Sequence, residues 1–237
     1  MDGLILIDKE KDITSYDVIR KLKKLLPRKY KIGHAGTLDP FATGLLIVML
    51  GKATKLMDDI HKLEKTYEVK AEFGFATDTQ DITGERIKEI DVSENISKEQ
   101  INECIKDNFI GKIFQLPPIY SAKKVKGQKA YDLARKGQEV ILKPKEIEVK
   151  NFEIVKYEWP YVKFTITCST GTYVRTLIDD LGKSLGSLAT AVELRRISIG
   201  SLDLEKSVKS DEILKESFHI EDQYLELCKV KNFLKNE

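Results

Sequence analysis

The chain has 237 residues, 41% of them hydrophobic, and 40 Lys and Arg against 38 Asp and Glu leave a formal net charge of +2. That size and apolar content predict a globular protein with a sizeable core, as one large domain or two small ones. Met1-Asp2 leads straight into Gly3-Leu4-Ile5-Leu6-Ile7, a run too short for a membrane span and without a cleavage pattern, so a cytoplasmic protein is expected. Cys104, Cys168 and Cys228 lie far apart, the three histidines are scattered, and neither spacing argues for zinc or any other metal.

In chain order, Gly3 to Asp8 reads as a short buried strand. Thr14 or Ser15 caps a helix to about Leu26, with Val18, Ile19, Leu22, Leu25 and Leu26 as its apolar stripe, and Pro27 ends it. Leu45 to Leu50 reads as a strand, Lys52 to His61 as a helix, and Thr66 to Phe75 as an alternating strand with Tyr67, Val69, Ala71, Phe73 and Phe75 on one face. Asp78 to Gly84 is a turn across which Arg86 to Ile90 pairs back. Ser97-Lys98-Glu99-Gln100 is a capping box that opens a helix to about Phe109. Ile147–Tyr157 and Tyr161–Cys168 read as adjacent strands joined through Trp159-Pro160, followed by a helix over Thr172–Leu185 and a strand over Leu194–Ile199. A charged helical pattern spans Glu221 to Leu234. Strands with helices between them give an α+β class with a mixed or antiparallel sheet.

The near-neutral total hides an uneven charge distribution. Seven cations (Arg20, Lys21, Lys23, Lys24, Arg28, Lys29, Lys31) fall in one stretch with no acid among them. Lys123, Lys124, Lys126, Lys129, Arg135, Lys136, Lys143 and Lys145 form a second cluster. Local basic patches on a near-neutral chain suit a polyanion bound on one face.

Between the first cluster and the Leu45–Leu50 run lies Gly33-His34-Ala35-Gly36-Thr37-Leu38-Asp39-Pro40-Phe41-Ala42-Thr43-Gly44. Glycines permit close backbone approach, and Pro40 biases Asp39 away from helix. One carboxylate is thus presented on a stiff loop leading into a buried strand. Such a carboxylate is either a functional group held by its scaffold or an acid that caps a turn. Gly51-Lys52-Ala53-Thr54 superficially suggests a phosphate-binding loop, but the preceding run is apolar where that loop must be flexible.

The Asp39 loop resembles the Gly-His-x-Gly-x-Leu-Asp-Pro-x-Ala-x-Gly signature of the TruB family of tRNA pseudouridine synthases. Further family motifs follow in order: Lys65-Thr66-Tyr67; Gln115-Leu116-Pro117-Pro118-Ile119-Tyr120-Ser121-Ala122-Lys123 with Ala130 to Gly137; and Cys168 to Leu177, continuing to Asp180-Leu181-Gly182 and Leu194-Arg195-Arg196. The resemblance covers roughly residues 3 to 200. It implies a pseudouridine synthase fold, a large curved sheet with flanking helices and a central active-site cleft. It implies isomerisation of uridine 55 in the T arm of tRNA, with base flipping and no cofactor. In that reading Asp39 is the catalytic carboxylate, acting as nucleophile or in glycal formation, and Arg175 is its cationic partner. Tyr67 stacks on the target base and takes part in proton transfer. Tyr173, Leu194 and His34 contact the substrate, and Asp78 either contacts the T arm or caps its turn. By spacing alone Tyr67 and Leu194 read as ordinary core residues, so their roles rest on the resemblance.

Two departures stand out. Where the family carries Lys-Pro-x-Gly-x-Thr-Ser, this chain reads Lys9-Glu10-Lys11-Asp12-Ile13-Thr14-Ser15, which predicts lost backbone restraint and added negative charge near RNA. After Gly200 only 37 residues remain, too few for an ordinary PUA-type RNA-binding domain. The expected organisation is therefore a catalytic domain over 1–200 and a short helical tail over 201–237. The expected partner is tRNA alone, with a monomeric protein, no protein partner and no membrane. The competing readings are a guide-RNA-dependent synthase and a tRNA chaperone with secondary catalysis.

Overall fold

The computed structural model describes residues 1–121, 124–125, 128–129 and 142–236. The chain divides into two compact units, Met1–Tyr67 with Leu194–Glu237, and Glu68–Glu193. The strands in chain order are β1 (Gly3–Lys9), β2 (Ile32–Ala35), β3 (Thr43–Leu50), β4 (Lys65–Phe73), β5 (Phe75–Thr77), β6 (Arg86–Glu89), β7 (Gly111–Gln115), β8 (Lys124–Val125), β9 (Gln128–Lys129), β10 (Lys145–Glu158), β11 (Tyr161–Cys168), β12 (Ala189–Ile199), β13 (Leu202–Asp203), β14 (Val208–Lys209) and β15 (Tyr224–Glu226). Among the described residues the helices are α1 (Ser15–Lys23), α2 (Met57–Lys62), α3 (Lys98–Asn108), α4 (Val174–Ser184) and α5 (Leu227–Asn236). The expected α+β class is borne out, with a large mixed sheet in the order β14-β1-β3-β12-β4-β11-β10-β7.

In the first unit β1 and β3 pair antiparallel from Gly3↔Leu50 to Lys9↔Gly44, and β2 pairs with the other edge of β3 from Ile32↔Leu50 to Ala35↔Ile47. The unbroken apolar run of β3 follows from burial on both faces. Leu46, Val48 and Leu50 pack with Ile5, Ile7 and the α1 stripe Val18, Ile19 and Leu22. Leu45, Ile47 and Met49 pack with Leu4, Leu6, Ile60 of α2 and Val230 of α5. α1 is opened by a reciprocal Thr14–Asp17 capping box. It ends at Lys23, three residues before the expected Leu26, where the chain tightens into turns in which the Lys24 and Leu25 N–H groups donate to the Lys21 and Leu22 carbonyls ahead of Pro27. Lys52–His61 is a 3-10 turn over Gly51–Leu56 followed by α2. The tail is not the single helix expected over Glu221–Leu234. A 3-10 turn over Ile220–Asp222 and strand β15, which pairs with β1 from Gly3↔Glu226 to Ile5↔Tyr224, precede α5.

In the second unit β10 and β11 form the expected hairpin, closed through a cis Trp159-Pro160 peptide. Its inner face stacks Phe152 edge-on against Phe164 and Phe109. α3 carries the expected Ser97–Gln100 capping box and buries Ile101 and Ile105. The strand expected over Thr66–Phe75 breaks at Gly74, whose φ of 108° only glycine adopts readily, and β5 then pairs with β6 across the Asp78–Gly84 turn.

Candidate active site

The Asp39 loop is shorter than the sequence suggested. Ile32 to Ala35 form β2, so His34 lies on a strand, and the irregular stretch runs from 36 to 42. Asp39 is half-buried between buried Leu38 and exposed Pro40. Side chains and backbone from the β1–α1 connection hold the residues on either side of it. Ser15 Oγ accepts from the Leu38 N–H at 2.9 Å and donates to the Leu38 carbonyl at 3.1 Å. The Pro40 carbonyl accepts from the Asp12 N–H at 2.8 Å and from Lys9 Nζ at 3.3 Å. A turn follows, in which the Ala42 N–H donates to the Asp39 carbonyl at 3.1 Å.

Two fully buried cations surround this loop. Lys9 Nζ donates to the carbonyls of Glu10 and Ile13, each at 2.8 Å, besides that of Pro40. Burial pulls the Lys9 ammonium down to about 8, and the negative charge of Asp39 is the strongest influence holding it up, ahead of Asp12 and Glu10. Arg196, from β12, donates from Nε to the Leu45 carbonyl at 2.7 Å and from Nη2 to the Gly36 carbonyl at 2.9 Å. His34 is half-buried, and its Nδ1 is buried with no hydrogen-bond partner. Burial, then the positive charges of Arg196 and His61, hold its imidazole below the usual range, so it stands neutral at pH 7. Tyr67 is half-buried at the end of its unit, and Leu194 is buried in β12. Lys65, two residues before Tyr67, is buried and donates from Nζ to the carbonyls of His61 and Leu63.

The departures near the N-terminus prove compatible with the fold. Asp12 holds the left-handed conformation that glycine favours, at φ 65°, which Asp tolerates better than most residues. The Glu10 N–H donates to Ser210 Oγ at 2.9 Å, a bond proline cannot make, and its carboxylate accepts from Lys21 Nζ at 2.6 Å. The backbone restraint expected to be lost is thus replaced by specific hydrogen bonds.

In the second unit Arg175 lies in the first turn of α4 with its side chain buried. Nη1 donates to the Thr79 carbonyl at 2.6 Å and to Asp81 Oδ2 at 3.0 Å, and Nη2 donates to the Tyr120 carbonyl at 3.2 Å. Asp81 is itself buried, and its Oδ1 accepts from the Thr83 N–H at 2.9 Å and from Thr79 Oγ1 at 3.0 Å. Sequence reasoning placed Asp81 in the turn but gave it no role; its position in Thr79-Gln80-Asp81-Ile82-Thr83, with hydroxyls two residues to either side, was the available signal. The turn is fastened to α4 by Gln80, which donates to Asp179 Oδ2 at 2.8 Å and accepts from Thr176 Oγ1 at 2.7 Å. Asp78 is exposed and caps the same turn, accepting from the Glu85 N–H at 2.9 Å. Tyr173 is the N-cap residue of α4, so the helix expected from Thr172 begins at Val174. Buried Gln115 grips its backbone from both sides, with N–H to Oε1 at 2.8 Å and Nε2 to carbonyl at 3.0 Å.

Four of the eight residues of the second basic cluster, Lys123, Lys126, Arg135 and Lys136, fall outside the described residues, as does the Ala130 to Gly137 motif, while Lys124 and Lys129 are described by backbone alone. Among the described residues no helix is long and apolar enough to cross a membrane, and no three His, Cys, Asp or Glu side chains are grouped to hold a metal.

Comparison with known proteins is consistent along the chain. The family model described as TruB family pseudouridylate synthase, N-terminal domain, matches residues 23–174, and a tRNA pseudouridylate synthase B C-terminal domain model matches residues 175–231. A tRNA pseudouridine synthase B of Clostridium tetani is 45% identical over 92% of this chain and 74% of its own length. One from Endomicrobium trichonymphae is 44% identical over 91% of this chain and 95% of its own length. Among solved structures, a Cbf5–Nop10–Gar1 complex superposes with a TM-score of 0.68 at 28% identity, covering 92% of this chain and 57% of that one. An H/ACA ribonucleoprotein bound to a substrate RNA containing 2'-deoxyuridine gives 0.67 at 26% identity, covering 97% and 57%.

Proposed function

The chain belongs to the TruB family of pseudouridylate synthases, and on that footing we propose that it converts uridine 55 in the T arm of tRNA to pseudouridine. The observation that carries this reading is the family match over most of the chain to relatives named tRNA pseudouridine synthase B, with Asp39 on the motif loop. The reaction breaks the N1–C1′ bond, turns the uracil, forms a C5–C1′ bond, and exchanges the C5 hydrogen for a proton on N1. It is an isomerisation and consumes no co-substrate.

Residues 1–200 carry this chemistry. Asp39 is the carboxylate that attacks the nucleoside or assists formation of a ribose glycal; the family motif assigns Arg175 as its cationic partner, and the charges of Lys9 and Arg196 around the loop favour its ionised form. Tyr67 stacks on the extracted uracil. Such stacking is worth about 1–3 kcal/mol per base, which offsets much of the few kcal/mol that extraction costs. Tyr173 and Leu194 border the base, and neutral His34 contacts the RNA without adding charge.

The exposed face of α1 and the residues after it supply phosphate contacts. Arg20, Lys23, Lys24, Arg28, Lys29 and Lys31 are all exposed. Arg20 and Lys23 lie over the half-exposed Tyr16 ring at 5.1 and 5.6 Å. Cations grouped in this way favour a polyanion and make its binding salt-dependent. The protein acts as a monomer in the cytoplasm and needs no protein partner or guide. An unmodified tRNA transcript incubated with the purified protein alone, then mapped by carbodiimide-dependent primer-extension stops, should show a single new stop at position 55. No stop anywhere would contradict the reading; a stop only when a guide RNA is added would replace it with the guided branch.

A further inference from the structure

We propose that Arg196 is a positioning residue for Asp39, its guanidinium tying together the two ends of the Asp39 loop. The proposal rests on the reading of Asp39 as the catalytic carboxylate. Arg196 is 1% exposed, yet both hydrogen bonds given above go to backbone carbonyls, Gly36 at the start of the loop and Leu45 just beyond its end. A guanidinium is a planar fork of fixed geometry, so two carbonyls bound to one fork are held at a set separation. The backbone of Arg196 adds to this, because β12 pairs parallel with β3 at Arg196↔Gly44.

The loop's glycines fit around this side chain and its backbone. Gly36 has φ 78°, and a Cβ there would lie 3.2 Å from Arg196 Nη1. A Cβ on Gly44 would lie 2.2 Å from the Arg196 carbonyl oxygen. Between these fixed ends, Ser15 pins Leu38 and Lys9 pins Pro40, so the residues flanking Asp39 have little freedom. Losing the side chain would leave two buried carbonyls unsatisfied, at a cost in stability, but only a rigid fork also fixes their separation. A fixed fork is needed where a loop must hold one carboxylate at one point. A displacement of about 1 Å in a reacting group can cost on the order of 100-fold in rate.

The test compares Arg196→Met, Arg196→Lys and Ser15→Ala with wild type and Asp39→Asn. kcat and KM for tRNA are measured and normalised to the fraction of each protein that binds tRNA by titration. A purely structural role lowers that fraction and leaves the normalised kcat unchanged. Positioning lowers normalised kcat, by about 10- to 100-fold in Arg196→Met and less in Arg196→Lys, which reaches one carbonyl, with KM within about twofold. Should Arg196→Met not fold, Arg196→Lys and Ser15→Ala read the same loop, each with a lowered kcat at unchanged KM. Wild-type normalised kcat in the folded Arg196 variants, with Asp39→Asn inactive, overturns this proposal alone. Wild-type turnover by Asp39→Asn overturns the reading on which it stands.

Discussion

Two buried arginines show how differently the two units hold a positive charge. Arg196 in the first unit donates to carbonyls, as does the buried Lys9 near it. Arg175 in the second unit has a carboxylate partner, Asp81, buried with it. Carbonyl dipoles satisfy the donors of a cation without neutralising it. The charges of Lys9 and Arg196 therefore persist around the Asp39 loop, where Lys9 and Asp39 influence one another directly. The Arg175 charge is partly balanced by a buried ion pair fixed by the Asp78–Gly84 turn. The first arrangement favours a nearby carboxylate in its ionised form; the second holds a guanidinium rigidly in place.

The largest effect belongs to the carboxylate itself. Asp39→Asn should fold, bind tRNA with wild-type affinity and lose at least about 1,000-fold in turnover, because the nucleophile or base is removed while its surroundings stay. Next is the ion pair. Asp81→Asn takes the charge from the carboxylate facing buried Arg175 and should cost about 3 kcal/mol in urea unfolding. Arg196→Met breaks no ion pair and should cost less, about 1–3 kcal/mol from unsatisfied carbonyls. Equal losses in the two variants would erase the contrast between the units.

A smaller effect is expected on the surface. Replacing Lys23, Lys24, Arg28 and Lys29 with Gln should raise KM for tRNA and leave kcat unchanged. The plot of log affinity against log salt should flatten by up to about 0.9 per lost phosphate contact. The smallest effect is acid sensitivity from His34. Its folded pKa lies below the ordinary 6.5, so the unfolded chain takes up the proton first as pH falls. Stability should decline from about pH 6.5 downward until the folded imidazole also protonates, and His34→Gln should remove that part of the decline.

The local elements with strong signals were legible in the sequence. The α3 capping box, the β10–β11 hairpin and the apolar β3 each follow from a short-range pattern of caps, alternation or continuous burial. β2 was not legible, because Ile32-Gly33-His34-Ala35 is short, contains a glycine and gains its partners from β3. β14 and β15 were missed for the same reason, being two- and three-residue strands that exist by pairing with β1. Asp39, Arg175 and Tyr67 were readable as motif residues. Arg196 was legible as a motif residue but its contacts were not: it meets Gly36 across 160 positions, and Arg175 meets Asp81 across 94. A buried cation bonded to distant carbonyls leaves no periodicity to read.

The most direct measurement is tritium release from a tRNA transcript labelled at uracil C5, with wild-type protein and Asp39→Asn side by side. Release marks replacement of the C5 hydrogen by the new carbon–carbon bond. The account predicts release by wild type, none by Asp39→Asn despite equal tRNA binding, and none by either protein when uridine 55 is replaced. Release by Asp39→Asn at the wild-type rate would contradict it.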